Sequence, residues 1–379
     1  MVSMNELKQD MITGMGYIGL DSGRLYRMRR GPKLIEAVAS GTTIIINDAT
    51  EGRPFRRLRV FGKSTQDGAP TPEAPVPIVS AGESGNINVE VKGGNLFDKT
   101  GYRPEMDISI PSGTTILASL EETADEFTVD IINVDGSTHV LSLDKSKDHR
   151  KYGTRTLTRD SRTIRFRGIT ETPFLAVSNE YIPYKPYRDP QSLTLQTPNG
   201  LPGVPVSKDG NYTDSNGQQW VCDEIDLGRG KYVQRVAIEK NSGGWELKPS
   251  SDISGRFFQP RLTNVFQTAV KTAVCNIANF VSWGAPTNDI YAFALNKKVI
   301  YFSPPKGAEI TAEELNAKLN SLSFPVVVVG ELATPIERDL TPEEIAAYKA
   351  LRTYGPTTVV SNDAGAEMEV TYVADRKEN

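Results

Sequence analysis

Between Pro70 and Pro77, four of eight residues are proline, within Gly68-Ala69-Pro70-Thr71-Pro72-Glu73-Ala74-Pro75-Val76-Pro77. Proline lacks the N–H that a helix interior or a central strand must donate, and its ring fixes φ near −65°. The segment therefore reads as an extended, polyproline-like connector between β-rich regions. Proline and glycine are frequent elsewhere too: 24 Pro and 32 Gly in 379 residues, about 15% against a usual ~12%. Hydrophobic residues make up 38%, low for a globular chain but above the disordered regime. Together with the length, this predicts two or three thin β-domains joined by many turns.

The strand signals are local. Thr42-Thr43-Ile44-Ile45-Ile46 is a β-branched run, and Leu58-Arg59-Val60-Phe61 reads as a strand ended by Gly62. Residues 86–91 alternate polar and apolar, as a half-buried strand does. From about 96 to 190 short strands recur with turn chemistry between them, which indicates a sandwich or barrel. The sharpest case is Thr128 to Val134, then Asp135-Gly136, then Thr138 to Leu143, a hairpin pattern. Tyr181-Ile182-Pro183-Tyr184-Lys185-Pro186-Tyr187 closes that region and reads as a domain edge. Residues 191–240 look like further hairpins.

Two helices are signed near the C-terminus. Thr311-Ala312-Glu313-Glu314 is a capping box ahead of Leu315, Leu319 and Leu322. Thr341-Pro342-Glu343-Glu344 is a second, with proline at the first helical position, and that helix should stop before Gly355-Pro356. There is also an internal echo. Residues 42–49, Thr-Thr-Ile-Ile-Ile-Asn-Asp-Ala, match residues 357–364, Thr-Thr-Val-Val-Ser-Asn-Asp-Ala. The pattern predicts two similar hairpins, each turned by Asn-Asp-Ala.

Charge is unevenly spread. The first 63 residues hold eleven Lys and Arg against six Asp and Glu, a local +5, which leaves −9 for the rest of a chain of net charge −4. The asymmetry suits an N-terminal region that meets an acidic partner, with Arg24, Arg27, Arg29 and Arg30 as its docking residues; a solvated surface accounts for it equally well. Arg53, Arg56, Arg57 and Arg59 form the densest basic run and read as a solvated or protein-docking strand face rather than a nucleic-acid site. No segment has the length and apolarity of a bilayer span or of a signal-peptide core, so the expectation is a chain made in a cytoplasm without a signal peptide and without membrane insertion.

Motifs of chemistry are few. Gly14-Met15-Gly16-Tyr17-Ile18-Gly19 fits a dinucleotide pattern by letter, but no strand precedes it and turn residues follow, so it reads as a Gly-rich linker. His139 and His149 lack a metal or triad pattern, and Cys222 and Cys275 read as two buried thiols rather than a disulfide. Asp209, Asn211, Asp214 and Asn216 read as a tight turn rather than a calcium loop. No catalytic residue, cofactor or metal ligand is assigned, and the chain reads as a non-enzyme. Trp245 and Trp283 offer candidate flat faces for sugar rings, with core packing as the alternative.

One set of strings resembles a known family. Val60 to Ile78, Asn95-Leu96-Phe97, Leu195 to Val206, Leu332-Ala333-Thr334-Pro335-Ile336-Glu337 and Asn362 to Ala366 resemble the Pro-spaced signature of bacteriophage tail-associated structural proteins, over about residues 42–379. The resemblance implies a virion structural protein of the tail, baseplate or tail fibre, with a carbohydrate-binding-like jelly roll after Asn95-Leu96-Phe97. It carries over no catalytic set.

The expected architecture is mainly β, with multidomain, jelly-roll-like β-sandwich modules, hairpin connectors and two short helices near the C-terminus. The expected divisions are 1–41, a virion-docking segment; 42–94, hairpin and Pro-rich connector; 95–190, jelly-roll-like sandwich; 191–240, hairpins; and 241–379, a β-rich domain with helices near 311–322 and 341–353. The expected role is assembly and host-surface attachment, with other virion proteins and further copies of the chain, a trimer among the options, as partners. A glycan-binding receptor module and a head-fibre or neck appendage are the alternatives, and a cell-wall hydrolase carries least weight.

Overall fold

A computed structural model describes residues 16–19, 25–28, 35–98, 104–120, 126–144, 152–169, 173–251, 256–260, 262–268, 270, 272–282 and 291–374. The molecule is mainly β, with several sheets and two helices, as the sequence predicts. Helix α1 is Ala312–Asn320 and helix α2 is Pro342–Ala350, each started by a complete capping box, from Thr311 and Thr341. Helix α2 ends sooner than the sequence pattern suggests, because Leu351 turns extended and is buried.

Residues 104–177 build a two-sheet sandwich from consecutive strands. One sheet has the order Tyr152–Thr156, Thr115–Leu120, Pro173–Val177; the facing sheet has Thr138–Asp144, Glu126–Asn133, Ser161–Arg167, Glu105–Ile110. All pairs are antiparallel. Alternating apolar residues point between the sheets: Ile116 and Ala118 meet Val129, Ile131, Ile164 and Phe166. The Asn95-Leu96-Phe97 string closes this core. Leu96 and Phe97 are buried in it. The Asn95 amide donates to Pro173 O (2.8 Å) and accepts from the N–H groups of Phe97 and Leu175 (3.0 Å each). The Tyr/Pro-rich segment lies over the outer face of the three-stranded sheet, where Ile182 and Tyr184 pack on Leu117, Phe174 and Ala176.

The rest of the molecule is organised around a seven-stranded sheet: Ala273–Cys275, Val326–Asp339, Lys231–Asn241, Glu224–Asp226, Arg57–Phe61, Glu367–Ala374, Ile35–Gly41. Near its Ile35–Gly41 end it packs on a four-stranded sheet, Gln191–Gln196, Asn86–Gly93, Thr358–Asn362, Thr43–Ile46, burying Leu58, Val60, Met368 and Val370 against Ile44, Val89, Leu195 and Val360. Near its other end it packs on a five-stranded sheet and α1 through Ala237, Val328, Phe293, Phe302 and Leu315. The strand order thus cuts across the sequence intervals 1–41, 42–94, 191–240 and 241–379, whose strands interleave in shared sheets, so that residues 35–41 of the expected docking segment belong to the body.

The internal echo has a different meaning from the two hairpins expected. In each copy the β-branched strand enters the four-stranded sheet, while the run that follows enters the seven-stranded one, so Asn-Asp-Ala turns a corner between layers. The two copies then pair with each other: Thr43 lies opposite Ser361 and Ile46 opposite Thr358. The runs that follow pair as well, Leu58 with Val370 and Val60 with Met368. The echo is a local pseudo-two-fold at which segments some three hundred residues apart meet.

Two further expectations change. Gly16–Gly19 is a strand paired with Leu25–Met28, a hairpin rather than a linker. The proline connector is not extended throughout. It is a loop closed at its base by the Ser64–Thr65 and Val79–Ser80 strands, with a turn at its tip where Thr71 N donates to Ala74 O (3.1 Å). Among the described residues, no helix is long and apolar enough to cross a membrane.

Candidate functional site

The proline loop is strapped to the body. Val76 N donates to Asn276 O (2.9 Å), and the Gln66 amide donates to Val76 O (3.0 Å) and Cys275 O (2.9 Å). Lys318 of α1 pairs with Glu73 near the tip. A second Pro-rich string makes a matching turn: Gly200 N donates to Thr197 O (2.9 Å), with Pro198 in the corner and Gly200 at φ 73°. The two strings touch at their backbones. Leu201 N donates to Ala81 O (2.6 Å) and Lys63 N to Leu201 O (3.2 Å). A Cβ on Gly62 would lie 2.4 Å from Pro202 O, and one on Gly203 would lie 2.3 Å from Gly62 O. Only glycine allows this approach.

These strings border one cleft of about 970 Å³. Pro75, Pro77 and Ile78 come from the loop, and Pro198, Asn199 and Pro202 from the second string. Ile336 comes from the Leu332-to-Glu337 string, and Tyr232, Gln234, Val236 and Ile238 come from the seven-stranded sheet. The volume is at the upper end of the usual range for small-molecule pockets, about 300–1,000 Å³. Apolar floor residues Val236 and Val329 are buried, whereas Ile336 is 56% exposed at the rim. The Arg338 guanidinium stacks 4.3 Å from the Tyr232 ring centroid and donates to Gln196 O (3.0 Å).

Asp223 lies at the base of the cleft and is buried. It sits between two strands, separating Gln219–Cys222 from Glu224–Asp226. One carboxylate oxygen accepts from the N–H groups of Arg235 and Val236 (2.8 Å each), and the other from the Tyr232 hydroxyl (2.8 Å). These N–H groups fall where the pairing of Lys231–Asn241 with Val326–Asp339 shifts register. Asp223 therefore braces an irregularity in the sheet. Burial pushes its pKa up to about 7, against the pull of those three donors.

The basic run Arg56 to Arg59 is wired into the body instead of standing free. Arg57 pairs with buried Asp226, and Arg59 bridges Glu224 (2.6 Å) and Glu369 (3.2 Å). Arg235 completes the Glu224 site at 3.0 Å, and exposed Arg56 reaches Glu36 at 3.5 Å. Burial works to raise the Asp226 carboxyl, but the Arg57 guanidinium and Arg229 N–H more than offset it, so Asp226 titrates below the ordinary carboxylate range.

The candidate sugar-stacking residue Trp245 is corrected by its position. It is 3% exposed, its ring packs edge-on to Phe302 at 5.6 Å, and Asn320 holds both its N–H and its C=O. A buried ring offers no face to a sugar. Trp283, Arg24, Arg29, Arg30 and His149 lie outside the described residues, and Arg27 sits opposite Tyr17 in the N-terminal hairpin. His139 Nε2 is 3.2 Å from the Thr158 hydroxyl. Asp214 caps a turn, accepting from Asn216 N, Gln218 N and the Trp220 indole. Both cysteines are free and buried, and burial pushes each thiol up to about 12. Among the described residues, no group of three or more His, Cys, Asp and Glu side chains could hold a metal ion.

Sequence reasoning missed Tyr232, Gln234 and Arg338. The signal for the cleft was the recurrence of Pro-spaced strings, which gave its walls but not its floor. Fold and site together define a layered, mainly β protein with a proline-walled cleft. No protein-family model, curated protein or solved structure matches the chain.

Proposed function

We propose that this chain is a structural component of a bacteriophage virion, in the tail, baseplate or fibre apparatus, where it joins neighbouring virion proteins and further copies of itself and contributes to host-surface attachment. One observation carries the reading. Three of the strings that resemble tail-associated proteins, Val60 to Ile78, Leu195 to Val206 and Leu332 to Glu337, are far apart in sequence, yet all three border a single cleft, and the first two touch at Gly62 and Leu201. Strings selected as independent linkers have no reason to converge. Their convergence supports reading them as one structural signature. In this role the chain binds and holds, with no catalytic step, cofactor or metal.

The test is incorporation. Particles assembled with the full chain should retain it through gradient purification, as read by mass spectrometry of the particle proteins. Particles assembled with a variant lacking residues 1–34, the basic segment that precedes the Ile35–Gly41 strand of the seven-stranded sheet, should lose it. Purified particles that contain none of the full chain would overturn the proposal, and normal incorporation of the truncated chain would remove the docking role of that segment.

A further inference from the structure

An unpaired strand edge is a row of backbone donors and acceptors that will accept another strand, and folded proteins shield such edges. Several edges among the described residues are shielded or short. Gln191–Gln196 is covered by the α2 region: Glu344 takes the Gln196 N–H (2.8 Å), and the Gln191 amide bonds both ways with Arg352. Glu105–Ile110 is broken by a register shift against Ser161–Arg167. Pro173–Val177 is tied down by Asn95, Leu96 and Thr357. Thr138–Asp144 lies against the Tyr152–Thr156 strand of the facing sheet. Thr43–Ile46 and Ala273–Cys275 are only four and three residues long.

Ile35–Gly41 is the longest edge without such cover among the described residues. It ends the seven-stranded sheet, is seven residues long, and pairs without a break from Ile35 opposite Ala374 to Gly41 opposite Met368. Its sequence, Ile-Glu-Ala-Val-Ala-Ser-Gly, has no proline, lysine or arginine. Among the described residues, no strand pairs with its outer edge. Val38, at its centre, is 62% exposed, while Ala37 and Ala39 face the core beside it.

We propose that this edge is the self-association surface: two copies pair their Ile35–Gly41 strands antiparallel across a two-fold axis at Val38, joining two seven-stranded sheets into one. The occupant is a second copy because the strand is complementary to itself. In that register Val38 meets Val38, Ala37 meets Ala39, and the one charge, Glu36, meets Ser40, so no like charges oppose each other. The contact is isologous and closes at two. It names a surface for the self-association in the virion proposal, and its test on isolated protein lets either fail alone.

The experiment is light scattering on the purified full chain and its Val38→Lys and Val38→Glu variants, from about 1 to 100 µM. The wild type is expected to be a dimer. Each variant places like charges across the axis and should weaken dimerisation at least 100-fold, with an unchanged circular dichroism spectrum because Val38 is exposed. An equimolar mixture of the two variants should dimerise again, since Lys now faces Glu. A wild type that is monomeric throughout, an oligomer other than a dimer, or a dimer indifferent to both variants would overturn the proposal. So would variants that dissociate but are not rescued by mixing.

Discussion

The sandwich of residues 104–177 and the body around it are both layered β structures, but the chain builds them in opposite ways. In the sandwich every strand comes from one stretch, and a turn such as Asp135-Gly136 sets its neighbour directly: Asn133 N donates to Ser137 O (2.8 Å). In the body, Thr358–Asn362 sits between Thr43–Ile46 and Asn86–Gly93, so one layer needs both ends of the chain. Local pairing makes a module whose order depends on its own core. Distant pairing makes a body whose parts depend on one another, because loop closure must be offset before any contact stabilises it. The two regions still touch, since Ile45 and Val359 of the body pack against the sandwich core.

Core truncation in each region should break the comparison most sharply. Phe166→Ala removes a fully buried ring that meets Phe97 at 4.8 Å, and should cost the sandwich about 3–5 kcal/mol. All three tryptophans lie outside the sandwich, so tryptophan fluorescence reads the body while circular dichroism reads both. In urea, Phe166→Ala should move the dichroism transition and leave the fluorescence transition nearly in place; equal shifts would show the two regions unfolding as one unit.

Gly62→Ala is the counterpart in the body. Its methyl group would meet the Pro202 carbonyl, and the cost should be on the order of 3 kcal/mol, seen in the fluorescence transition. A neutral result would mean that the Pro-spaced strings do not rely on that close approach. Asn95→Ala, at the entry to the sandwich, strands two buried N–H groups and one C=O, and should cost about 2–3 kcal/mol in the dichroism transition.

Asp223 sharpens the comparison through pH. Its folded pKa of about 7 lies above the ordinary carboxylate value of 3.8, so the folded state binds the extra proton between them. Its contribution is fully present below about 3.8 and is lost as pH rises towards 7. Asp223→Asn can keep all three contacts, with its amide donating to the Tyr232 oxygen, and should flatten that part of the body's stability profile without changing the sandwich's. Identical pH slopes for variant and wild type would refute this. The smallest effect belongs to Arg56→Ala, whose pair with Glu36 is exposed on both sides and should change stability by less than about 0.5 kcal/mol.

What could be read from the sequence follows the same division. The Asp135-Gly136 turn, the strands on either side of it and both capping boxes depend on neighbours within a few residues, and all appear where the pattern puts them. The body's pairings depend on partners hundreds of residues away, and only the echo of 42–49 in 357–364 hinted at them. Even that echo predicts two hairpins, because spacing along the chain cannot tell a turn within a sheet from a corner between sheets. Trp245 is left open by the sequence for a related reason. Its type suits a core or a surface platform, and its burial depends on Phe302 and Asn320, more than fifty residues on. The acids that neutralise Arg57 and Arg59 lie in strands beyond residue 220, so the run looked free when read alone.

The most direct test of the account is a cryo-EM map of purified particles that carry the chain. The account predicts density at the tail, baseplate or fibre that fits the seven-stranded body with the 104–177 sandwich packed on it. A map that resolves the whole tail apparatus and leaves no density for this fold would contradict it.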